Sequence, residues 1–562
     1  MTRRYPYLSH SVRCPSQPMA NKGLFAKEKG KRILIVIISF KIFSSSYLHQ
    51  CWHLLHIIEP IRRILHRISK TNAIFVEAEC TDIVHNENYI VIKDVNPLEG
   101  PKPKDAKIYY DKLIVAIGSM PHTMGTKGVE ENCLFLKEAA DAWKIRTKIM
   151  DCFERASFPG QPIEEIKRLL SIVVVGGGPT GVEFAGEIYG IYITLSYLDY
   201  IYDDLVNTFP ELIKHCTITL VQSADHLLNT YDSKIIDCNY LNDFKNKVTE
   251  KEFGRSGIKT LFGSRVTDVE QSKITVLNKA DKKNYTLPFG MCLWATGVGA
   301  RPLTKKFCDS IDEQKNNRAI STDAFLRACG VNNHNVYAIG DCSTISQTPL
   351  INHVVELFKE ADVNGDNKLS IDELVTLVRH HVQKHPQLLS YVAVLKDKFK
   401  EFDVNHDGFL QLDEFRCLIE KIDSDLTTLP ATAQVANQQG KYVAQCLNKL
   451  DSSHRATTTA TNPKPADPNN NNGTADLMPF KYKHLGSFAY IGHRNAVADV
   501  PGAFSGGGFG VWWAYRSIYL EKQFSLKNRV LVTLDWWKAI FLTAVCIKRF
   551  IDLVNNNIKQ LS

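Results

Sequence analysis

The sequence predicts an α/β fold with two nucleotide-binding modules, an inserted helical pair of EF-hand calcium loops and an amphipathic C-terminal region. Three observations predict it. Across Ser171–Ile188 a run of buried-strand character ends in Gly176-x-Gly178-x-x-Gly181 and turns into a helix. Within Asn335–Cys342 a second short apolar strand ends in Gly340-Asp341. Two loops with oxygen donors at alternate positions, Asp362–Glu373 and Asp403–Glu414, follow those modules and precede the tail.

At 562 residues the chain has room for three or more domains, and an apolar fraction of 44% can fill several cores. The formal charge of +8 is mild and suits an anionic cofactor or an anionic membrane surface. No array of Lys and Arg interleaved with aromatics points to nucleic acid, so no nucleic-acid partner is expected. The 14 cysteines include no C-x-x-C pair and no zinc spacing, and read as small buried hydrophobes in a reducing compartment. Arg32–Phe43 is apolar but short and broken by Lys41, and Val530–Val554 carries Asp535, Lys538, Lys548 and Arg549. Neither gives the roughly 18 uncharged apolar residues of a spanning helix, so the chain is not expected to cross a membrane. The first 27 residues lack any acid and carry Arg3, Arg4, Arg13, Lys22 and Lys27 among several serines. That segment, 1–31, reads as a mitochondrial transit peptide or as a basic tail.

Taken in order, Arg32–Val36 has the character of a first β-strand, and a helix is expected from Cys51, where Leu54, Leu55, Ile58, Ile61, Ile64 and Leu65 recur at helical spacing. Strand-like runs follow at Ala73–Ala78, Tyr89–Lys93 and Leu113–Ile117, the last ending at the glycine turn of Gly118. The Gly176-x-Gly178-x-x-Gly181 loop then lies between a strand and a helix, the context that gives this motif its meaning. Its glycines permit a tight turn and close backbone approach, and the helix N-terminus offers N–H groups and dipole to a dinucleotide pyrophosphate. The strand expected to carry the ribose-reading residue is Thr217–Val221, set further from the glycines than the usual interval of about 20 residues. An insertion in the crossover, near Tyr189–His215, accounts for the difference.

That strand ends at Gln222 and Ser223. A carboxylate there would bond the ribose 2′-OH and repel a 2′-phosphate; an amide and a hydroxyl accept the phosphate, so NADPH is favoured over NADH unless Asp225 takes the acid's place. Met291–Pro302 is another strand-to-glycine turn, through Gly297. In Asn335–Cys342 the Gly340-Asp341 pair places an acid where a helix N-terminus and a flavin's ribityl chain would meet, which points to FAD.

The calcium module occupies 351–425. Positions 1, 3, 5, 9 and 12 of the loops are Asp362, Asn364, Asp366, Ser370 and Glu373, then Asp403, Asn405, Asp407, Gln411 and Glu414. Such oxygens suit Ca²⁺, a hard cation that takes about 6–8 of them. Position 7 gives only its carbonyl, so Lys368 and Phe409 are tolerable. Gly408 fits the sharp turn, Asn367 is the best substitute for glycine there, and Leu369 and Leu410 can pair across the loops. Behind the module, Leu429–Leu447 reads as a helix with small residues Ala433, Ala436 and Gly440 on a face suited to a planar ring, and with Gln434 and Gln438 one turn apart. An exposed amide pair is an equal reading of those glutamines. Low complexity marks 456–476 as a disordered loop. In 512–562, Trp512, Trp513, Tyr515, Tyr519, Trp536 and Trp537 mix with Lys522, Lys527, Arg529, Lys538, Lys548 and Arg549. Aromatic and basic residues on short amphipathic helices suit a membrane interface; the alternative is a packing face, within the chain or in a homodimer.

Taken together, IIEPIR (Ile57–Arg62), VEAEC (Val76–Cys80), GVEENCLFLKE (Gly128–Glu138), VVVGGGPTGVEFAGE (Val173–Glu187), WATGVGARP (Trp294–Pro302), NVYAIGDC, LPATAQVANQQG (Leu429–Gly440) and YKHLGSFAYIG (Tyr482–Gly492) resemble the type II NAD(P)H:ubiquinone oxidoreductases of mitochondria, in their external EF-hand-bearing branch. The resemblance runs from about His56 to Arg529. It implies two Rossmann-like domains and a membrane-anchoring tail. The FAD domain would be 32–165 with 316–350, the NAD(P)H domain 166–315, and the segment 426–511 would complete the FAD and quinone sites. VQSADHLLNT (Val221–Thr230) is similar to the branch that prefers NADPH. By residue, Gly118, Gly340, Asp341 and Ala433 would face FAD, Glu183 would stand at the nicotinamide–flavin junction, and Gln434 and Gln438 would lie at the ubiquinone site. The expected place is the inner membrane, peripheral, on the intermembrane-space side, with calcium as activator.

One departure stands out. The family opens with a strand and a glycine-rich loop for the FAD pyrophosphate, whereas here ISFKIFSSSY follows Lys31–Val36 with no such motif. The intact motifs elsewhere favour a fault in the gene model. The rival is an impaired homologue that keeps only calcium and nucleotide binding. A flavin-dependent disulfide reductase is disfavoured by the lack of paired redox cysteines.

Overall fold

The computed structural model describes residues 33–37, 61–62, 74–95, 105–193, 208–228, 249–251, 253–254, 257–314, 318–346, 353–362, 364–381, 399, 402–424, 429–459, 477–492, 495–500, 504–523, 525–534 and 536. The basic N-terminal segment, the run after the first strand where the family carries its glycine loop, the helix expected from Cys51 apart from Ile61 and Arg62, and the tail beyond Trp536 lie outside the described residues.

Two parallel sheets organise the chain. One has the order Ile33–Ile37, Lys112–Ala116, Val336–Ala338. The other has the order Met291–Trp294, Ser171–Val175, Thr217–Val221, Lys259–Leu261. In the second sheet the central strands are continuous β-branched and apolar runs because both faces are covered. Val174, Leu220 and Leu293 point to a core shared with the helices Ala139–Ala156 and Pro179–Ile193. Their neighbours Val173, Val175, Val221, Cys292 and Trp294 point the other way, against the antiparallel strands Ser264–Val269 and Lys273–Asn278. The first sheet divides its faces in the same manner. Leu113 and Val115 pack on Leu303 and Phe307 of the helix Pro302–Asp309, and Ile114 and Tyr337 pack on Val443 of the helix Ala433–Thr459.

The sheets are joined by a two-stranded antiparallel connection, Ser119–Pro121 with Val298–Ala300. The calcium loops belong to a helical unit with its own core, in which Phe358, Leu369, Leu374, Leu410, Phe415 and Leu418 are buried together. A C-terminal antiparallel sheet, Ser487–Gly492, Asn495–Val500 and Phe504–Gly508, feeds the helix Phe509–Glu521.

Several expectations need correction. The described part of the run Ala73–Ala78 is irregular, and the strand begins one step later, at Glu79–Val84, where Cys80 and Ile83 find the core. Gly340-Asp341 opens a single 3₁₀ turn, Gly340–Cys342, followed by the strand Ser343–Ile345 rather than by a helix. The helix expected to stop near Leu447 continues to Thr459, into the first four residues of the segment 456–476 that low complexity marked as a disordered loop. Trp512 and Tyr515, read as interface aromatics, are buried with Tyr490, Ala496 and Ala498; they seat the helix on the C-terminal sheet.

Candidate active site

The glycine loop is shaped as its spacing requires. A Cβ on Gly181 would collide with the carbonyl oxygen of Gly176, so only hydrogen lets the helix start this close to the strand end. Gly178 precedes the helix, and Val182 N–H donates to its carbonyl at 3.0 Å. At the end of the neighbouring strand, Gln222 is tied into the loop. Its Oε1 accepts from Gly177 N–H at 3.1 Å, and its Nε2 donates to the His226 carbonyl at 3.1 Å. The residues present fit a dinucleotide pyrophosphate and a ribose beside a neutral amide. Gly297 sits at the tip of the turn that follows Met291–Trp294, exposed, with its carbonyl accepting from His122 N–H at 3.2 Å.

At the other sheet, Gly118 and Gly340 terminate the strands Lys112–Ala116 and Val336–Ala338, and both have positive φ, 66° and 73°. Asp341 is drawn inward. Its Oδ2 accepts from Ser119 Oγ at 2.8 Å and pairs with Lys137 Nζ at 3.1 Å, while Lys137 also reaches Ser119 Oγ at 2.7 Å. Both charged side chains are buried, at 9% and 3% exposure, so the pair is held in a low-dielectric setting. A carboxylate held at the C-terminal end of a parallel sheet fits the ribityl hydroxyls of a flavin.

One helix connects this turn to the rest of the site. In Ala433–Thr459, Gln439 is buried and its Oε1 accepts from Gly340 N–H at 2.6 Å. Ala436 lies under the same turn, 3.4 Å from where a Gly340 Cβ would stand. Gln434 Nε2 donates to the Gly486 carbonyl at 2.7 Å, and its Oε1 accepts from Leu485 N–H at 3.2 Å. Gln438 does the same one turn on, bonding the carbonyl and N–H of Lys483 at 2.8 and 2.9 Å. Both amides are therefore clamps on the main chain. Tyr482 completes the corner, its hydroxyl 3.1 Å from His484 Nδ1 and 3.4 Å from Gln434 Oε1; burial raises its pKa. Ala433 is exposed at the helix start.

The clamped segment runs directly into the strand Ser487–Gly492, which packs on the helix Pro179–Ile193. The approach is close: a Cβ on Gly186 would stand 2.9 Å from backbone atoms of Ile491 and Gly492. Glu183, one turn earlier on that helix, is buried at 5% exposure. The structure thus brings Gly340, Asp341, Gln434, Gln438 and the Glu183 helix into one connected region. Sequence reading missed Lys137, Ser119, Gln439 and Tyr482. Their signals were weak: Gln439 adjoins Gln438, and only the folded helix shows which one faces Gly340.

The calcium loops gather separately. Leu369 and Leu410 exchange main-chain hydrogen bonds of 2.8 and 2.9 Å across the loops. Asn367 and Gly408 have positive φ at the sharp turn, 58° and 83°. Asp362 and Asp403 accept loop amides, while Asn364 and Asn405 each accept an N–H two residues on. Glu373 Oε2 is turned onto Ser370, and Glu414 bridges Val404 N–H and Gln411 N–H at 3.0 Å each. Gln411 donates to Asp407 at 2.9 Å, and Lys368 Nζ forms an ion pair with the same carboxylate at 3.0 Å, which lowers its pKa. Phe409 lies under the Lys368 ammonium, 5.5 Å from ring centre. Among the described residues no three His, Cys, Asp or Glu side chains converge as a chelate. The donor set, with Asn, Ser, Gln and main-chain carbonyls among the acids, is that of a calcium loop, and the residues fit the ion.

Of the ten described cysteines seven are buried and only Cys417 is exposed, as expected for structural thiols. Cys133 and Cys292 lie 3.4 Å apart, a pair that spacing could not reveal. The hydrogen bond from Cys133 and burial raise the Cys292 pKa well above the usual thiol value.

The fold and these sites define a flavin- and pyridine-nucleotide-dependent oxidoreductase. The family profile "Pyridine nucleotide-disulphide oxidoreductase" matches residues 17–362, "NDH2 C-terminal domain" matches 484–543, and "EF hand" matches 354–378 and 395–418. The chain is 37% identical over 487 residues to external alternative NAD(P)H-ubiquinone oxidoreductase B1 of Solanum tuberosum mitochondria, covering 85% of this chain and 79% of that one. The B1 protein of Arabidopsis thaliana is 35% identical over 485 residues, covering 85% and 80%. Among solved structures, NDH2 of Plasmodium falciparum in complex with NADH superposes with a TM-score of 0.71 at 25% identity, covering 91% of this chain and 98% of that one. This chain belongs to the type II NAD(P)H:ubiquinone oxidoreductases, in the external, EF-hand-bearing branch.

Proposed function

We propose that the chain oxidises NADPH, in preference to NADH, and passes the electrons through FAD to ubiquinone under calcium control. The observation that carries this reading is the helix Ala433–Thr459, which holds Gly340 through Gln439 and the Lys483–Gly486 segment through Gln434 and Gln438. One rigid element thereby fixes the flavin turn relative to the strand that rests on the nucleotide helix. The two parallel sheets serve as two Rossmann-like domains, one for each nucleotide. Bound FAD would take hydride from the nicotinamide and return two electrons to the quinone.

The chain's own residues do the arranging. The loop Gly176–Gly181 and the helix start hold the pyrophosphate of NADPH. Asp341, oriented by Lys137 and Ser119, would hold the ribityl chain of FAD. Gln434 and Gln438 shape the quinone corner through the main chain, and Tyr482 presents a hydroxyl there. Glu183, buried on the helix Pro179–Ile193, would stand at the nicotinamide–flavin junction. Among the described residues no helix is long and apolar enough to cross a membrane. Association is proposed to be peripheral, through the C-terminal region, on the intermembrane-space face of the inner membrane, where cytosolic NADPH and calcium arrive.

An absorbance spectrum of the purified chain, recorded anaerobically before and after NADPH, tests the reading. A flavin band that bleaches on NADPH and returns on ubiquinone supports it. A colourless protein overturns the oxidoreductase function of this chain and leaves nucleotide and calcium binding.

A further inference from the structure

We infer that Lys279 is the cation that receives the 2′-phosphate of NADPH and so sets the nucleotide preference; this rests on the NADPH reading above. The residue at the end of Thr217–Val221 is where the adenosine ribose is read in a fold of this kind. Here that residue is Gln222, neutral and spent on Gly177 N–H and the His226 carbonyl. It brings no charge to a dianion. The neighbouring acid, Asp225, is exposed, its Oδ1 lying 3.8 Å from where a Gly263 Cβ would stand, and would repel a phosphate on this edge.

The compensating charge arrives from another element. Lys279 follows the strand Lys273–Asn278, and its N–H donates to the Gly263 carbonyl at 2.9 Å. Its Nζ donates to the Ser223 carbonyl at 2.6 Å, over the residue that follows Gln222. The side chain is exposed. The hairpin does not need this contact to keep its shape: Asn278 N–H bonds the Lys283 carbonyl, and the Asn278 and Asp281 side chains cap Ala280 and Lys283 N–H. An ammonium has three donors, and only one is engaged by Ser223. A phosphate oxygen is a stronger partner than a neutral carbonyl. The lysine therefore stands as a point charge beside the ribose edge and offsets Asp225.

The test compares the full-length wild type with Lys279→Ala and Lys279→Glu. Steady-state kinetics with NADPH and NADH are paired with calorimetric binding of 2′,5′-ADP and ADP, which reads the site whatever the flavin content. Loss of one charge-assisted contact should lower kcat/KM for NADPH about tenfold or more in Lys279→Ala, through KM, with NADH changed less than about twofold. Binding of 2′,5′-ADP should fall in parallel while ADP holds, and Lys279→Glu should turn the preference towards NADH. Equal losses for both nucleotides, or unchanged NADPH kinetics, would overturn the assignment to Lys279 alone. A wild type that favours NADH and binds 2′,5′-ADP no better than ADP would overturn the NADPH reading, and this inference with it.

Discussion

At the residue scale the site is held by charges whose partners come from distant parts of the chain. Lys137 and Asp341 are 204 residues apart and both buried. Removing one leaves the other uncompensated in a poor dielectric, so Lys137→Met should destabilise the protein by about 3–5 kcal/mol. The double variant Lys137→Met with Asp341→Asn should recover part of that loss, because no bare charge remains. Urea unfolding of the three variants measures the coupling; strictly additive losses would show that the pair acts as two independent residues. Lys368 poses the opposite case. Its ammonium pairs with Asp407, a proposed calcium ligand, at an exposed position. Calcium must displace it, so Lys368→Met should tighten binding at the second loop roughly two- to fivefold, the worth of an exposed ion pair. Calcium titration calorimetry that gives the same affinity for both proteins would remove Lys368 from the account.

At the scale of elements, legibility follows from whether a signal is local. The strand Thr217–Val221 was readable to the residue because a β-branched run buried on both faces has one solution. The calcium loops were readable because their donors, turn residue and pairing leucines all lie within a short stretch of sequence. The strand at Glu79–Val84 was misplaced because its partly exposed pattern gives no clean alternation, and its register comes from pairing with Tyr89–Lys93. The role of the glutamines was invisible for another reason. Whether Gln434 meets a ring or a main chain depends on where the Lys483–Gly486 segment lands, about fifty positions later in the chain. Gly186 is similar: its need for hydrogen arises only from the strand Ser487–Gly492. Gly186→Leu should force the two elements apart at a cost of about 1–3 kcal/mol. Because that strand continues the segment proposed to shape the quinone site, ubiquinone turnover should fall more than 2′,5′-ADP binding. Equal losses in both would mean that the contact only supports stability.

At the scale of the whole molecule, the C-terminal region joins a surface to the chemistry. Residues 526–534 are helical, and Leu526, Val530 and Leu534 follow one another at four-residue intervals with 76%, 47% and 57% exposure. That is one apolar stripe on one helix face, flanked by Lys522, Lys527 and Arg529. Phe509 and Trp513 add exposed aromatics on the preceding helix, whose other face, through Trp512 and Tyr515, is locked to the C-terminal sheet. The same sheet rests on the nucleotide helix and continues the segment clamped by Gln434 and Gln438. On the proposed peripheral association, a bilayer touching the stripe would be mechanically connected to the proposed quinone corner, and a long-tailed quinone would be met at the membrane surface. Burying a leucine is worth about 1.5–3 kcal/mol, so Leu526→Glu with Leu534→Glu should lower partition onto anionic vesicles by well over tenfold. The informative comparison is between substrates. With a short-chain, water-soluble quinone the variant should turn over as the wild type does, because the corner itself is untouched; with a long-chain quinone dissolved in vesicles it should lose most of its rate. Equal loss with both quinones would instead make the stripe part of the fold, and equal retention would place the membrane contact elsewhere on the chain.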